Sequence, residues 1–369
     1  MRILVQNLLG APLHDPGLPG VFGGGEVDLY MLARLFQRFG HDVHVLVHHL
    51  GGEAARMVEG IQLHALWPDG RSPRSPLHVW DGWRALSRLR PELLVAEIIS
   101  DQSAVAGAWG RLHGVPLLYR AANQRDWLLV AEPGRYGWWE RARFRLTLAG
   151  IHTYVAQTRE QAEVIRRVVP AERLRIIPNF HLPQEQALPE FGQRRGILWV
   201  GHLTRVKQPR RVAELARRLP RIPFTVVAPT QAHAEEPGSR EALALPNVTL
   251  LDSVPFREIQ PLYNQARVLL NTSLSEGFPN TFIHAMHGGT PLAAVDVDPD
   301  RIFSEGGCGV REPDLERLAG ELTRLHDDEA VWNAVRARVE EWRAARFAFA
   351  PVEAAYREIL ARLSESSAP

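Results

Sequence analysis

Short apolar runs alternate along this chain with longer amphipathic stretches, a pattern that predicts strands and helices in turn. Residues 2–9, 43–47, 61–66, 93–97, 115–119, 153–156 and 174–179 read as buried strands of a parallel sheet. Gly23-Gly24-Gly25-Glu26 opens a helix that places Leu29, Leu32, Ala33, Leu35 and Phe36 on one face and ends at Gly40. Further helices are expected at 102–113 and 159–168, and residues 68–76, rich in Pro, Arg and Ser, read as an exposed loop. A second series begins at residue 196. Strands at 196–201, 224–228, 248–251, 266–270 and 292–295 alternate with a helix at 210–219, a helix face of Ile259, Leu262, Tyr263 and Ala266, and a helix after Asn280. A Gly-rich turn at 306–309 and helices at 314–327, 329–345 and 351–363 close the chain. Between the series, residues 182–195 are polar and proline-bearing, which suits a linker. The pattern is α/β, in two doubly wound halves.

Composition narrows the classes. A chain of 369 residues can bury two cores. Its net charge of +1 does not point to nucleic acid or to bulk anionic membrane as the main partner. The single cysteine, Cys308, excludes an intrachain disulfide and fits a reducing cytoplasm. The first strand is too short for a signal peptide, and no apolar run approaches the roughly 20 residues of a membrane span. Lys207 is the only lysine among 43 basic side chains, which invites a chemical reason for keeping it.

The candidate chemistry gathers in 266–291. There an apolar strand runs into a polar turn bearing Glu276 beside Gly277. Asn280 is expected to cap a helix with Phe282, Ile283 and Met286 on its inner face, and Gly288-Gly289 stops it. A strand, a Gly-containing turn and a helix N-terminus present N–H groups and a dipole to an anion. A carboxylate beside such a site wants hydroxyl partners, so a nucleotide sugar fits both; the alternative is an ordinary strand–turn–helix with a surface Glu. Lys207, in the turn after 196–201, suits phosphate oxygens as a mobile point charge; the alternative is a solvated surface lysine. Gly23, Gly24 and Gly25 permit close backbone approach to a phosphate or sugar, although their spacing is not a dinucleotide fingerprint. Glu97 ends its strand at the edge where such sheets bind ligands. Residues 135–148 mix aromatics with arginines. They read either as an interfacial segment on a membrane carrying a lipid-linked acceptor, or as an amphipathic helix whose Arg stems cover its flanks; the second is preferred. Trp138, Trp139 and Phe144 would be core or acceptor-side contacts. Asp296-Val297-Asp298 has the letters of a metal-holding pair but lies far from the turn that should bind phosphate. His284 and His287 could share one side of a helix, too few ligands for a metal.

Glu276-Gly277-Phe278-Pro279-Asn280-Thr281-Phe282-Ile283, followed by Ala285-Met286 and Pro291, resembles the donor-site signature of the retaining glycosyltransferases of family 4, group 1. Val200-Gly201-His202-Leu203 with Lys207 resembles their Val-Gly-Arg-Leu…Lys-Gly element, and the glycine run resembles their N-terminal loop. The resemblance implies a GT-B fold, two Rossmann-like doubly wound domains facing a cleft. Residues 1–183 would bind the acceptor, with the C-terminal helix 346–369 packing back on them, and 184–345 would bind the nucleotide sugar. It implies transfer of a sugar from a nucleotide-diphosphate donor to a hydroxyl of a glycan, lipid-linked or small-molecule acceptor, with retention of configuration and no metal or cofactor. Lys207 would grip the diphosphate, with His202 where the family has Arg. Val254 would meet the base through its backbone. Glu276, Gly277, Phe278, Pro279, Asn280 and Thr281 would hold the donor, and His284 stands where the family has a ribose-binding Glu. Ala122 and Asn123 stand where it has a His-containing pair on the acceptor side. The departures at Ala122, His202 and His284 favour one alternative, a sugar-nucleotide-binding or regulatory protein with weakened catalysis. An epimerase or hydrolase would need an acid/base pair, for which Glu97 is the obvious candidate. The expected location is the cytoplasm, extended to the inner face of the membrane if 135–148 is interfacial.

Overall fold

The structure, a computed structural model, describes residues 1–18, 20–68, 78–121, 124–183, 187–230 and 235–365. The chain divides into two compact units, Met1–Leu182 with Phe349–Pro369, and Pro183–Ala348. Ala122 and Asn123 lie outside the described residues, as do most of the 68–76 loop and the middle of the 182–195 stretch.

The first unit is built on β1 (Arg2–Gln6), β2 (Asp42–Val47), β3 (Ala55–Val58), β4 (Ile61–Ala65), β5 (Leu93–Glu97), β6 (Leu117–Arg120), β7 (Ile151–Ala156) and β8 (Leu174–Ile176). They form one sheet in the order β3-β4-β2-β1-β5-β6-β7-β8. All pairs are parallel except β3 with β4. Parallel strands covered by helices are buried on both faces, which is why Ile3, Leu4, Val5 and 93–96 are apolar without alternation. β3 was not expected. It joins β4 through Glu59-Gly60, with φ of 47° and 80°, the doubly left-handed turn that a tight hairpin requires. The winding reverses between β1 and β5.

The helices of this unit that bear on function are α1 (Gly24–Arg38), α2 (His78–Leu89), α3 (Asp101–His113) and α4 (Trp138–Gly150). In the second unit they are α5 (Pro209–Arg218), α6 (Gln260–Gln265), α7 (Asn280–His287) and α8 (Glu329–Arg346). The last helix, α9 (Phe349–Glu365), packs in the first unit. Its Tyr356 hydroxyl accepts a bond from Arg120 Nη1 at 2.7 Å. Arg120 also donates to Asn179 Oδ1 at 2.5 Å, and its Nε lies 3.8 Å from Asp28 Oδ2. Asp28 accepts from Gln157 Nε2 at 3.0 Å, and Glu97 faces Arg120 across the β5–β6 register.

The second unit holds β9 (Ile197–Val200), β10 (Phe224–Val227), β11 (Val248–Leu251), β12 (Val268–Asn271), β13 (Leu292–Ala294) and β14 (Gly309–Arg311). The sheet is parallel throughout, in the order β11-β10-β9-β12-β13-β14. Its core includes Phe224, Val226, Val268, Leu270, Phe282 and Met286. β14 replaces part of the expected Gly-rich turn. Gly309 lies so close to β13 that a Cβ would sit 1.7 Å from Leu292 O, so only glycine can start this edge strand. The end of the proposed linker is packed rather than solvated. Phe191 and Arg194 are buried, and Arg194 binds Pro189 O, Thr290 Oγ1 and Gly288 O at 2.9, 2.9 and 2.7 Å.

Candidate functional site

In the second unit the chain winds from β9 through β10 to β11, then crosses back to β12 and winds the other way. β9 and β12 are therefore neighbours whose following turns diverge, leaving a crevice at their C-terminal ends, the usual ligand position in such sheets. Both signature motifs occupy these two turns. The β9 turn carries Lys207 and the β12 turn carries Glu276, and Lys207 Nζ meets Glu276 Oε1 at 2.6 Å. Glu276 is 12% exposed and Lys207 30%, so the pair sits in a recess and not on open surface.

Three contacts hold the turns together. Trp199 Nε1 donates to Thr272 Oγ1 at 3.0 Å, and Thr272 Oγ1 donates to Lys207 O at 2.6 Å. Leu274 N donates to Val206 O at 2.9 Å. Asn271 positions the carboxylate, with Nδ2 3.4 Å from Glu276 Oε1, while its Oδ1 accepts from Ser273 N at 2.8 Å. Gln208 adopts φ 53°, a left-handed conformation that costs a non-glycine residue about 1–2 kcal/mol, and Pro209 then starts α5. The residue after Lys207 thus has a glycine-like backbone without being glycine. Asn271, Thr272 and Trp199 were not anticipated; the one hint was polar side chains closing an otherwise apolar strand.

The remaining donor candidates fall into groups. Gly277, Pro279, Asn280 and Thr281 lie in the same turn and first turn of α7. Asn280 is the first helical residue and makes no cap bond through its side chain; Pro279 precedes the helix instead. Phe278 turns inward, 4.7 Å ring to ring from Phe347, so its side chain is core and only its backbone borders the turn. Val254 packs against the same apolar cluster. His202 is half-buried in the β9 turn.

His284 is buried against α6. Its ring stacks on Tyr263 at 4.7 Å, and Nδ1 lies 2.7 Å from Gln260 Oε1. Gln260 Nε2 donates to His284 O at 3.0 Å and to Asn264 Oδ1 at 2.8 Å. With its amide N–H groups so placed, Gln260 presents its oxygen to the ring. Nδ1 therefore carries the proton, and the neutral ring keeps Nε2 as an acceptor. His287 belongs to another environment: burial, with Arg343 of α8 beside it, pushes its pKa down to about 4. The Asp296 and Asp298 carboxylates are engaged within the fold, Asp296 by Arg211 and Asp298 by the N–H groups of Phe303 and Ser304. Among the described residues, no three His, Cys, Asp or Glu side chains assemble into a metal-binding set.

In the first unit the reversal between β1 and β5 places the glycine run and Glu97 at the corresponding sheet edge. Gly23 N donates to Glu26 Oε2 at 2.8 Å, so that helix terminus already has a carboxylate on it. Glu97 is buried beside Arg120. Burial alone would lower the Arg120 pKa, but Tyr356, Asp28 and Glu97 together raise it above the ordinary arginine value.

The family model described as "Glycosyl transferase 4-like domain" matches residues 23–179, and that described as "Glycosyl transferases group 1" matches 194–328. The chain belongs to the group 1 glycosyltransferases of the family 4 type. No curated protein matches the glycosyltransferase by sequence. Solved structures do match it by fold. Sucrose-phosphate synthase of Thermosynechococcus elongatus aligns with a TM-score of 0.76 at 16% identity, covering 99% of this chain and 100% of that one. Anabaena HepE, solved with UDP and glucose, aligns at 0.70 and 14% identity, covering 98% and 100%. WaaG, described as a glycosyltransferase involved in lipopolysaccharide biosynthesis, aligns at 0.67 and 16% identity, covering 93% and 95%. The glycosyltransferase thus has the GT-B architecture of two parallel-sheet domains. Among the described residues, no helix is long and apolar enough to cross a membrane.

Proposed function

We propose that this glycosyltransferase moves a sugar from a nucleotide-diphosphate donor to a hydroxyl acceptor with retention of configuration. The second unit would bind the donor and the first the acceptor. The observation that carries the reading is the Lys207–Glu276 pair at the β9–β12 reversal, where a cation and a carboxylate converge 2.6 Å apart. A diphosphate needs the first and sugar hydroxyls need the second. As the C1–O bond breaks, its electron pair leaves with the diphosphate. Lys207, His202 when it is protonated, and the backbone N–H groups near 277–281 stabilise that charge, and no metal is called upon. The acceptor oxygen then bonds C1 on the same face and passes its proton to the departing phosphate oxygen. Glu276 fixes the sugar hydroxyls and holds Lys207 in place between turnovers.

Nucleotide release from UDP-, GDP-, ADP- and TDP-sugars, followed with and without acceptor hydroxyls, tests this. Release that requires an acceptor, with the product anomer matching the donor by NMR, supports the reading. Release that ignores the acceptor makes the protein a hydrolase, and tight binding with no release makes it a binding protein.

Glu276→Gln should keep nucleoside diphosphate affinity, because the carboxylate is assigned to the sugar hydroxyls and not to the phosphates. Affinity for the whole nucleotide sugar should fall about tenfold, the loss of a hydrogen bond to a charged group. Calorimetry with both ligands reads the difference, and equal losses would give Glu276 another role.

His284 carries a pH prediction. In the neutral ring, Nε2 can accept a ribose hydroxyl; the doubly protonated ring can only donate. Nucleoside diphosphate affinity should therefore fall once acidification protonates the ring, and His284→Glu should tighten binding or leave it unchanged. A flat profile in the wild type, with no effect of His284→Ala, removes His284 from the ribose site.

A further inference from the structure

One turn beyond the first residue of α7 stands His284. Asn280 and His284 share a helix face and lie about 6 Å apart along the axis. That step is of the size that separates a diphosphate from the pentose of its nucleotide. His284 is 7% exposed. Tyr263 stacks on its ring at 4.7 Å, and Phe256 meets it edge to face at 5.4 Å. Phe256 belongs to the segment that follows β11, two strands along the sheet from the β9 turn that carries Lys207. A pentose at His284 therefore lies between the diphosphate turns and the Phe256 segment.

The hydrogen-bonding capacity of the ring can be counted atom by atom. Nδ1 gives its proton to Gln260 Oε1 at 2.7 Å. The Gln260 amide cannot turn round, because the backbone oxygen of His284 only accepts and holds Gln260 Nε2 at 3.0 Å. Asn264 Oδ1 accepts from the same nitrogen at 2.8 Å. The neutral ring is left with Nε2 as its acceptor, and an imidazole nitrogen has one lone pair. A carboxylate could accept from two neighbouring hydroxyls, whereas this ring accepts from one. The Phe256 ring gives a second hydroxyl no hydrogen-bond partner. A hydroxyl taken out of water without a partner costs affinity, and a methylene in its place gains from burial.

We infer that the nucleotide site takes 2′-deoxyribonucleoside diphosphate sugars, the class to which TDP-sugars belong. This rests on the donor-site reading above and adds to it the pentose of the nucleotide. With the base on the Phe256 side, C2′, the carbon next to the base-bearing C1′, comes against that ring. C3′ comes against the imidazole, and its hydroxyl donates to Nε2. The pentose is then satisfied by one hydroxyl, and a ribose brings a second that His284 cannot serve.

Calorimetry with UDP, 2′-deoxy-UDP and 3′-deoxy-UDP compares ligands that differ by one oxygen, and the matching GDP and ADP series cover other bases. On the base bound best, the 2′-deoxy form should bind at least as tightly as the ribonucleotide. The 3′-deoxy form should bind about fivefold more weakly, the loss of one neutral hydrogen bond. His284→Ala should abolish the difference between the ribonucleotide and its 3′-deoxy form. His284→Glu, with room for two hydroxyls, should favour the ribonucleotide over its 2′-deoxy form by about tenfold. The wild-type series decides the matter even where a variant folds poorly. A 2′-deoxy form that binds more weakly than the ribonucleotide overturns the inference, and so does equal binding of all three. If Lys207→Ala weakens the ribonucleotide in either case, the donor-site reading stands without it. Absence of binding across every series removes both.

Discussion

Lys207→Ala should cut transfer turnover by about 10²–10³-fold, the usual cost of removing one preorganised donor from developing charge. The melting temperature should change little. The side chain is held by one carboxylate at 2.6 Å and is partly exposed, so no core depends on it. Its removal leaves Glu276 in a recess without its cation, and donor binding should weaken too, because the carboxylate would then face the diphosphate unopposed. The double variant Lys207→Ala/Glu276→Gln should recover part of that donor affinity but not the turnover, which separates the electrostatic penalty from the catalytic role. Lys207→Arg should restore turnover only in part, since a planar fork meets both the phosphates and Glu276 with different geometry. Steady-state kinetics and calorimetry on these variants check each step. Near wild-type turnover in Lys207→Ala would remove this lysine from the site.

The sequence exposed what depends on local order. Ile3-Leu4-Val5 and Val268-Leu269-Leu270 could be read as buried strands because both faces of a parallel strand are apolar. Lys207 stood out because a chain with arginine at its other basic positions keeps it. What stayed hidden depends on contacts across the fold. Lys207 and Glu276 are 69 positions apart, and their motifs suggested separate tasks; only the reversal between β9 and β12 makes them partners. The tautomer of His284 depends on Gln260, a residue in a different helix with no motif around it. β3 is hard to read from the sequence because it is only four residues long, its apolar Ala55 and Met57 face outward rather than into a core, and its Glu59-Gly60 turn is short. The sequence leaves Trp138 and Trp139 as core or acceptor-side contacts; the small residues of α3 and α4 make a contact too close to admit them to the core, and both stand exposed.

Arg120 was one arginine among many in the sequence, and the structure makes it the most consequential. Arg120→Met should destabilise the first unit by about 3–5 kcal/mol, the cost of breaking a buried ion pair from one side. The guanidinium is fully buried at the end of β6, with Tyr356, Asn179 and Asp28 around it and Glu97 opposite on β5. Methionine fills much of the volume but leaves Asp28 and Glu97 as buried carboxylates without their cation. It also removes the bond that ties α9, through Tyr356, to the sheet. For a unit of this size the loss corresponds to a fall of roughly 10 °C in melting temperature. The pH dependence distinguishes charge from packing. In the variant, burial would raise the pKa of the stranded carboxylates above their unfolded values. The folded variant then binds more protons than the unfolded chain, so its stability falls as pH rises and recovers toward acid pH. The gap between variant and wild type should narrow as pH drops toward the carboxylate range. Tyr356→Phe, which removes one hydrogen bond and no charge, should cost about 1–3 kcal/mol with no such pH dependence. Denaturant titrations across pH read both, and a constant gap for Arg120→Met would reduce the effect to lost packing.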